Sequence, residues 1–200
     1  MSTTATPATY GHDASIARFS VARYQKMIEV GILTPDDKVE LLENYVVLKM
    51  LRNPPHDGTV DLVKAALFPS LPAGWLLRIQ QTVVLSDSQP EPDFAIVRGN
   101  ARSYLTRHPG VADIGLLIEV ADSSLLRDQR DKARIFARAS IVCYWIINLV
   151  DRQIEVYTHP SGPTTVPAYG SVQTYQSGTH VPVVLDGATV ATIAVADLLP

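Results

Sequence analysis

The stretch GLLIEVADSS, residues Gly115 to Ser124, decides the fold because it reads as a fully buried β-strand that contains one carboxylate. Apolar residues flank Glu119 on both sides, with Leu116 to Ile118 before it and Val120 after it. Ionised carboxylates are almost never fully buried unless something pairs with them. An unpaired one takes up a proton instead of staying charged. Glu119 therefore needs a partner inside the protein, and that partner is either structural or chemical.

The N-terminal half of the chain predicts helices and strands in alternation. Ser20 is a suitable N-cap and Gly31 a suitable stop for a first helix. The segment VELLENYVVLKM then predicts two strands joined by a tight turn at Glu43-Asn44, since asparagine tolerates a left-handed backbone. The prolines of NPPHDG predict a break before a helix over Thr59 to Leu67. Trp75 to Leu85 then has the pattern of a strand.

The second half continues the pattern, and DFAIV predicts a short buried strand before the one at Glu119. LLRDQRDKARIFARA predicts a helix, CYWIINL and RQIEVYTH predict strands, and the last forty residues predict short strands and turns. Strands interleaved with a few helices give an α/β fold, a mixed β-sheet core flanked by helices. We expect a flexible tail over residues 1–18 and a single domain over residues 19–200.

Composition describes an ordinary globular chain of 200 residues, with 46% hydrophobic and 18% charged residues. The net charge of −3 gives no support to a strongly basic nucleic-acid binder. Residues 98–138 nevertheless contain eight basic against five acidic residues. This local excess fits a solvated helix face, the reading we favour, and is also compatible with a phosphate-bearing ligand.

The single cysteine, Cys143, rules out an internal disulfide and fits a reducing compartment. It lies in IVCYWII, where a buried inert thiol is expected and where Tyr144 and Trp145 are expected core residues. No apolar run approaches the roughly 20 residues of a membrane helix, and the N-terminus has no signal-peptide core. We therefore expect a cytoplasmic protein without a membrane partner.

Lys132 is the most informative residue of the predicted helix after Asp128. Positions 132, 135, 136 and 139 lie on one helical face, and the other three are apolar. The lysine therefore shares the stripe that packs on the sheet and can meet Glu119 there. The structural interpretation is a buried Glu119–Lys132 ion pair, or an Asp128–Lys132 pair in the favourable i,i+4 orientation. On this pattern alone, that interpretation and a functional one have about equal weight.

Two further acids bear on this choice. Asp93 opens a strand directly after a proline, and Glu40 interrupts the apolar segment VELL. Three carboxylates with one lysine in the same interior would repel one another. A hard divalent cation resolves that repulsion, and Mg²⁺ takes one or two carboxylates together with waters and substrate phosphate. A partly desolvated lysine could then orient or deprotonate an attacking water.

The ordered segments VELLENYVV, QPEPDFAIV and LLIEVADSSLLRDQRDKARIFARASIVCYWIINLVDRQIEVY resemble the Uma-type family of restriction-endonuclease-like proteins. This family is a bacterial branch of the PD-(D/E)XK nuclease superfamily, and the resemblance runs from about Phe19 to the C-terminus. It implies a restriction-endonuclease-like fold in which Asp93 and Glu119 are metal ligands. It also implies that Glu40 is an additional acid from the early strand.

The match departs from the superfamily at the lysine. The usual catalytic lysine stands two residues beyond the second acid, where this chain has Ala121. The family places its lysine on the next helix, and the resemblance carries that role to Lys132. ARASIVCYW also departs, since the family has a glycine and an acid before the Tyr-Trp pair, and we interpret this change as packing variation.

Four other polar residues have simpler expected roles. His56 matches a recurrent family histidine, but a capping or loop role is favoured because polar residues near helix starts usually satisfy backbone groups. Gln80 resembles a recurrent family glutamine, which implies contact with the substrate or with a metal ligand, and a cross-strand hydrogen bond is the favoured interpretation. Ser123 and Ser124 lack a nearby histidine and read as loop and helix-cap residues.

The first hypothesis is a Mg²⁺-dependent endonuclease, with Mn²⁺ as a substitute, that hydrolyses phosphodiester bonds in nucleic acid, with DNA as the expected substrate. Asp93, Glu119 and Glu40 are its metal ligands, and Lys132 acts on the water. The second is a catalytically silent nuclease-fold module that binds nucleic acid or a protein partner. A purely structural protein is a distant third. Double-strand cleavage would favour a homodimer, although nothing in the sequence marks an interface.

Overall fold

The computed structural model describes residues 16–200, so the flexible tail expected over residues 1–18 lies mostly outside the described residues. The helical segments are α1 (Val21–Glu29), α2 (Pro54–Leu67), α3 (Leu125–Arg127), a π-turn (Asp128–Lys132) and α4 (Ala133–Arg138). Short 3₁₀ turns lie at Pro35–Asp37, Phe68–Ser70, Ala101–Tyr104, Val111–Asp113 and Val195–Asp197. None of the helices in this range is long and apolar enough to cross a membrane.

The strands form one large sheet and two hairpins. They are β1 (Val39–Leu42), β2 (Tyr45–Leu48), β3 (Trp75–Ile79), β4 (Phe94–Arg98), β5 (Ile114–Ala121), β6 (Cys143–Asn148), β7 (Gln153–Pro160), β8 (Tyr169–Gln176), β9 (His180–Leu185) and β10 (Ala188–Ala194). The large sheet has the order β3-β4-β5-β6-β7-β8, while β1 pairs with β2 and β9 with β10. Only β5 and β6 are parallel within the large sheet, so it is mixed.

The two parallel strands lie at the centre of the sheet, and every residue of β5 and β6 is buried. Parallel neighbours require a crossover connection. Here α3, the π-turn and α4 supply it. The α/β fold with a mixed sheet and flanking helices, expected from the sequence, is therefore confirmed.

Alternating side chains give the sheet two separate cores. One face packs Phe94, Ile118 and Trp145 against α2 and the β9–β10 hairpin. The other face packs Leu117 and Tyr144 against α4 and the region of Val83–Leu85. On that second face Phe136 of α4 meets the Tyr144 ring edge-on, with the ring centroids 4.9 Å apart. Both faces of the central strands are thus covered, which explains their nearly continuous apolar sequence.

Several local predictions are confirmed. The Ser20 hydroxyl accepts a hydrogen bond from the Arg23 N–H at 3.3 Å, and α1 begins directly after this serine. The turn between β1 and β2 is formed by Glu43 and Asn44, whose φ angles are 50° and 67°. This left-handed pair gives the two-residue hairpin that the sequence predicted. Tyr144 and Trp145 are core residues with no exposed surface.

Two predicted boundaries are wrong. The prolines before residue 59 do not break the chain, because α2 begins at Pro54 with Asn53 as its N-cap. Proline is well tolerated in the first turn of a helix, where its missing N–H has no intrahelical acceptor. The strand expected over Trp75 to Leu85 stops at Ile79, since Gln80 has a left-handed backbone with φ of 51°.

Glu43 joins the β1–β2 hairpin to the crossover helix. Its carboxylate accepts hydrogen bonds from both terminal nitrogens of the Arg134 guanidinium and from Arg138 Nη1 at 2.5 Å. Burial tends to raise the pKa of Glu43, but the hydrogen bonds and charges of these two arginines outweigh it and lower the pKa below its ordinary value. The hairpin that carries Glu40 is therefore fixed to α4 by an ionic contact.

Replacing Glu43 with Gln should lower the free energy of unfolding by about 1 to 2 kcal/mol at pH 7, the usual contribution of hydrogen bonds to charged groups. Because the folded-state pKa of Glu43 lies below its unfolded value, its contribution is present above the unfolded pKa. That contribution disappears as the pH falls through the folded pKa.

Urea denaturation of both proteins at several pH values between 7 and 3 measures this difference. Glu29→Gln is the matched control, since that exposed carboxylate pairs only with Lys26 on its own helix. A Glu43→Gln penalty that stays constant down to pH 3 would contradict the ionic link.

Candidate active site

The carboxylates of Asp93 and Glu119 meet where β4 begins and β5 nears its end. Phe94 pairs with Ile118, so the residue before Phe94 and the residue after Ile118 lie opposite each other. The Val120 N–H donates to Asp93 Oδ2 at 2.9 Å, which fixes the first carboxylate against the second strand. Both acids are nearly inaccessible, with 6% and 4% of their surface exposed.

Lys132 reaches this pair from the crossover helix. Its Nζ donates to Glu119 Oε1 at 2.7 Å and lies 3.6 Å from Asp128 Oδ1. Both ion pairs that the sequence left open are therefore present, and the lysine lies between two carboxylates. The amine is buried with them, since only 10% of the lysine side chain is exposed.

The π-turn gives the helix its special geometry at this point. Asp128 and Lys132 are its first and last residues, and both are buried. Such single π-turns within helices are rare and occur frequently at functional sites. The predicted apolar face is nevertheless present, because Lys132, Ile135 and Phe136 all point inward. No pattern in the sequence predicts the π-turn itself.

Glu40 approaches from the β1–β2 hairpin and is 4% exposed. Its Oε1 accepts from Arg127 Nη2 at 3.2 Å, and its Oε2 accepts from the Glu91 N–H at 3.3 Å. The four residues predicted from the sequence, Glu40, Asp93, Glu119 and Lys132, all line one pocket. Long-range folding thus brings together acids from the first hairpin, β4 and β5 with a lysine from the crossover helix.

His56 and Gln80 both contact Asp93, and for His56 the favoured prediction is wrong. Its ring Nε2 lies 3.1 Å from Asp93 Oδ2, while its Nδ1 lies 3.2 Å from Asp57 Oδ1. The histidine side chain therefore orients an acid of the pocket and satisfies no backbone group. Gln80 makes the expected cross-strand bond, donating from Nε2 to Asp93 Oδ1 at 3.3 Å and accepting from Arg52 at 2.7 Å.

Sequence reasoning missed two residues of the pocket. Arg127 holds Glu40, and Asp128 accepts a 2.6 Å bond from the Ser124 hydroxyl. On the sequence alone, Asp128 is predicted only as a partner for Lys132. Its position one turn before a buried lysine also indicates that its side chain faces the pocket. Ser124 itself makes no side-chain cap bond at the start of α3.

The pKa of Asp93 is set by its partners. Burial raises the pKa of this carboxyl, but the hydrogen bond and charge of His56 and the Val120 N–H bring it below its ordinary value. Burial tends to lower the pKa of His56, and the contact with Asp93 reverses this and raises it. Asp93 is therefore ionised at neutral pH, and it favours the protonated form of the histidine.

Glu119 and Lys132 show that the pocket holds more carboxylates than its cations neutralise. Burial raises the pKa of Glu119 well above its ordinary value, Lys132 opposes this, and the charges of Asp128 and Asp93 add to it. Burial tends to lower the pKa of Lys132, but Glu119, Glu40 and Asp128 outweigh it and raise the pKa. The lysine is therefore the charged member of this group, while burial works against ionisation of Glu119 and Asp128.

A divalent cation fits the donor set of this pocket. Within residues 16–200, no group of three or more His, Cys, Asp or Glu side chains is already placed around a common metal position. Asp93 and Glu119 nevertheless supply two adjacent carboxylates, and Asp128 Oδ1 is buried with no hydrogen-bond donor. Mg²⁺ needs only one or two carboxylates because it keeps several waters. The surplus of carboxylate oxygens is the feature that a cation would relieve.

Ala121 stands two residues beyond Glu119, where the resemblance led us to look for a lysine, and it is fully buried. It belongs to the apolar cluster between the sheet and the crossover helix, which also contains Ala133. The buried lysine that lines the pocket is Lys132 of the crossover helix. Cys143 is buried too, and burial raises its thiol pKa to about 12, which fits the inert cysteine expected from the sequence.

A sheet of this order, with buried acids meeting at one end of its central strands, defines a nuclease-like fold. The family model Uma2, described as "Putative restriction endonuclease", matches residues 21–194. The chain therefore belongs to the Uma2 family, and the resemblance seen in the sequence is confirmed. None of the curated proteins compared with the chain matches it significantly.

Among solved structures, one similar fold comes from Anabaena variabilis ATCC 29413, where it is titled "a putative nuclease belonging to DUF820". The superposition has a TM-score of 0.64 at 12% sequence identity and covers 90% of this chain and 97% of that chain. At such low identity the likeness concerns the fold alone.

Replacing Lys132 with Met should lower the free energy of unfolding by about 3 kcal/mol at pH 8, because buried carboxylates lose their cation. The penalty should shrink when the pH is lowered to 5.5, because burial raises the pKa of both Glu119 and Asp128, and a protonated carboxyl needs no counter-charge. Replacing both partners, in Lys132→Met/Glu119→Gln, should cost less than the sum of the single changes.

Urea unfolding of the three variants at the two pH values measures these differences. Arg130→Met, an exposed substitution on the same helix, is the control. Additive penalties that do not change with pH would show that the buried contact is not ionic.

Proposed function

We propose that this protein is a metal-dependent endonuclease that hydrolyses phosphodiester bonds in DNA, with Mg²⁺ or Mn²⁺ as its cofactor. The observation that carries the proposal is the convergence of Asp93, Glu119 and Lys132 in one pocket of a nuclease-like fold. Membership of a family described as "Putative restriction endonuclease" supports the same reaction class and makes DNA the expected substrate.

Asp93 and Glu119 would hold the cation, and Glu40 would assist from the opposite wall of the pocket. When bound, the cation would polarise a phosphoryl oxygen and lower the pKa of its bound water. His56 and Gln80 each occupy one oxygen of Asp93, and they orient that carboxylate toward the pocket. Arg127 does the same for Glu40.

Lys132 serves this reaction as a hydrogen-bond donor. The carboxylates of Glu119, Glu40 and Asp128 raise the pKa of its amine above the ordinary value, so the amine is protonated at neutral pH. A charged amine cannot abstract a proton from water, but it can orient a water and stabilise charge that develops on a phosphoryl oxygen. Of the two roles that the sequence left open, orientation is therefore the one we propose.

The charge of the pocket explains why a cation would have to bind before a nucleic acid can bind. Its lining includes six carboxylates and four basic side chains besides His56. The carboxylates are Glu40, Glu91, Asp93, Glu119, Asp122 and Asp128, and the basic residues are Lys49, Arg52, Arg127 and Lys132. When these carboxyls are ionised, as metal ligands must be, their excess over the basic residues repels a phosphodiester. A bound divalent cation neutralises the excess and presents positive charge to the substrate.

A second candidate function is a nuclease-fold module that binds nucleic acid or a protein without cleaving it. The observation that favours it is the pairing inside the pocket, where Lys132 occupies Glu119 and His56 occupies Asp93. In an enzyme at least one oxygen of each carboxylate must leave these contacts and bind the metal. In a silent module they would be the permanent state of the pocket.

Replacing Asp93 with Asn should reduce Mn²⁺-dependent cleavage of plasmid or oligonucleotide DNA by more than about 100-fold, because even residues that only support metal ligands usually cost 10- to 100-fold. The variant should also lose Mn²⁺ affinity in calorimetry, since the amide carries no charge. Asp186→Asn is the matched control, because that exposed carboxylate pairs with Arg98 on the far side of the sheet. Cleavage that persists in Asp93→Asn, or that is absent in the unaltered protein with either metal, would contradict the proposal.

Binding in EDTA separates the two candidate functions. The enzyme should bind fluorescent duplex DNA weakly in EDTA and more tightly with Ca²⁺, which restores positive charge without supporting cleavage. The logarithm of the association constant should fall linearly with the logarithm of the salt concentration, with a slope of about −0.9 per phosphate contact. Fluorescence anisotropy measures both effects. Tight binding that is unchanged by EDTA and by Asp93→Asn, without cleavage, would favour the silent module.

A further inference from the structure

A second polar cluster lies on the same face of the sheet, away from the pocket. Glu155 of β7 is 5% exposed and lies in one cross-strand row with Glu119, with Ile146 between them. Tyr157 Oη donates to Glu155 Oε2 at 2.7 Å, and Asn148 Nδ2 donates to Oε1 at 2.7 Å. These contacts fix a buried carboxylate that is not part of the pocket lining.

Within residues 16–200, the crossover-helix side chain that hydrogen-bonds to Glu155 is Gln129, which lies inside the π-turn. Gln129 Nε2 donates to both Glu155 oxygens, at 2.9 Å and 3.1 Å. Gln129 directly follows Asp128 and precedes Lys132 by three residues, so it lies between the two helix residues that contact the Glu119 site. The sheet also holds this turn through Tyr144, whose hydroxyl donates to the Asp128 carbonyl at 3.3 Å.

A π-turn needs such anchors because its wider hydrogen-bonded ring is less favourable than the α-helical one. Strained local geometry persists only where the surroundings determine it. If the turn relaxed to a regular α-helix, the residues on one side of it would rotate relative to the other side. The segments before and after the turn could then no longer both keep their present contacts with the sheet. The amide of Gln129 is the side chain placed to prevent that rotation.

We infer that Glu155 and Gln129 are positioning residues that fix the register of the π-turn and thereby hold Lys132 and Asp128 against Glu119. The inference rests on the proposed function for its catalytic consequence, but the positioning itself does not. Neither residue touches the pocket, so they act through Lys132. Burial tends to raise the pKa of Glu155, but its hydrogen bonds outweigh burial and hold the pKa below the ordinary value. Glu155 is therefore ionised at neutral pH and accepts hydrogen bonds from the Gln129 amide.

The test compares two glutamines that both donate to Glu155. Gln129 reaches it from the helix, and Gln153 reaches it from β7 at 3.2 Å. Gln129→Ala should reduce the cleavage rate at saturating Mn²⁺ by about 10- to 100-fold, as for other residues that orient a site. It should lower the rate more than the Mn²⁺ affinity, because Asp93 and Glu119, the two proposed ligands, stay in place. Gln153→Ala should change the rate less than about twofold, since a strand residue does not hold the turn.

A double-mutant cycle shows whether Gln129 acts through the lysine. In the Lys132→Ala background, Gln129→Ala should cost less than about twofold, because the side chain that it positions is already absent. A penalty that persists in full would overturn the inference. So would a Gln153→Ala protein that loses as much activity as Gln129→Ala, since loss of the Glu155 cluster would then act through general stability.

A second readout does not depend on nuclease activity. The reactivity of the Lys132 amine toward an acylating reagent, mapped by mass spectrometry, should be low in the unaltered protein and rise severalfold in Gln129→Ala. Gln129→Asn, whose amide is one methylene too short to reach Glu155, should behave in the same way and preserves polarity if the alanine variant fails to fold. Unchanged Lys132 reactivity in both variants would overturn the positioning. If reactivity rises while no protein cleaves DNA, the positioning stands and the proposed function fails.

Discussion

The contact between Lys132 and Glu119 is the interaction on which the architecture of the site depends. It joins the crossover helix to the central strand at the one polar position of an otherwise apolar run. Stability alone does not account for it, because a buried ion pair is often no more stabilising than well-packed apolar residues of similar volume. The surrounding acids turn the pair into part of a larger charge cluster, and their surplus makes a divalent cation the natural complement. Structure and proposed chemistry thus follow from the same electrostatic imbalance.

The fold supports this imbalance by covering both faces of the parallel strands. Apolar cores on each side exclude water from β5 and β6, so the charges at the end of β5 interact in a medium of low dielectric. Glu40 enters from a hairpin that is fixed to α4 by Glu43, and Asp93 is fixed by the Val120 N–H. The acids therefore come from the hairpin and from two adjacent strands of the sheet, and the position of the pocket depends on how the hairpin packs against that sheet.

Backbone preferences and hydrophobic patterns in short segments predicted much of the fold and identified the buried charged residues. The Ser20 cap and the Glu43-Asn44 turn follow from backbone preferences, and Glu119 and Lys132 stood out as polar residues in apolar patterns. The partners of Asp93 could not be found in this way. His56 reaches Asp93 across 37 residues, and the favoured capping role considered only its neighbours in the chain. The π-turn was also invisible, because it depends on contacts between the helix and strands that lie later in the sequence.

The proposed role of Lys132 makes demands on the rest of the protein that a lysine on the strand would not. A lysine at position 121 would be fixed by the sheet itself, but in this chain Ala121 is fully buried in the apolar cluster that the sheet shares with the crossover helix. Lys132 instead depends on the rotation and register of the helix against the sheet, which the backbone pairing of the strands does not control. The chain therefore requires a separate device to set that register. Gln129, held by Glu155 in the same cross-strand row as Glu119, is placed to provide it, and this explains why a buried carboxylate outside the pocket lies so close to the site.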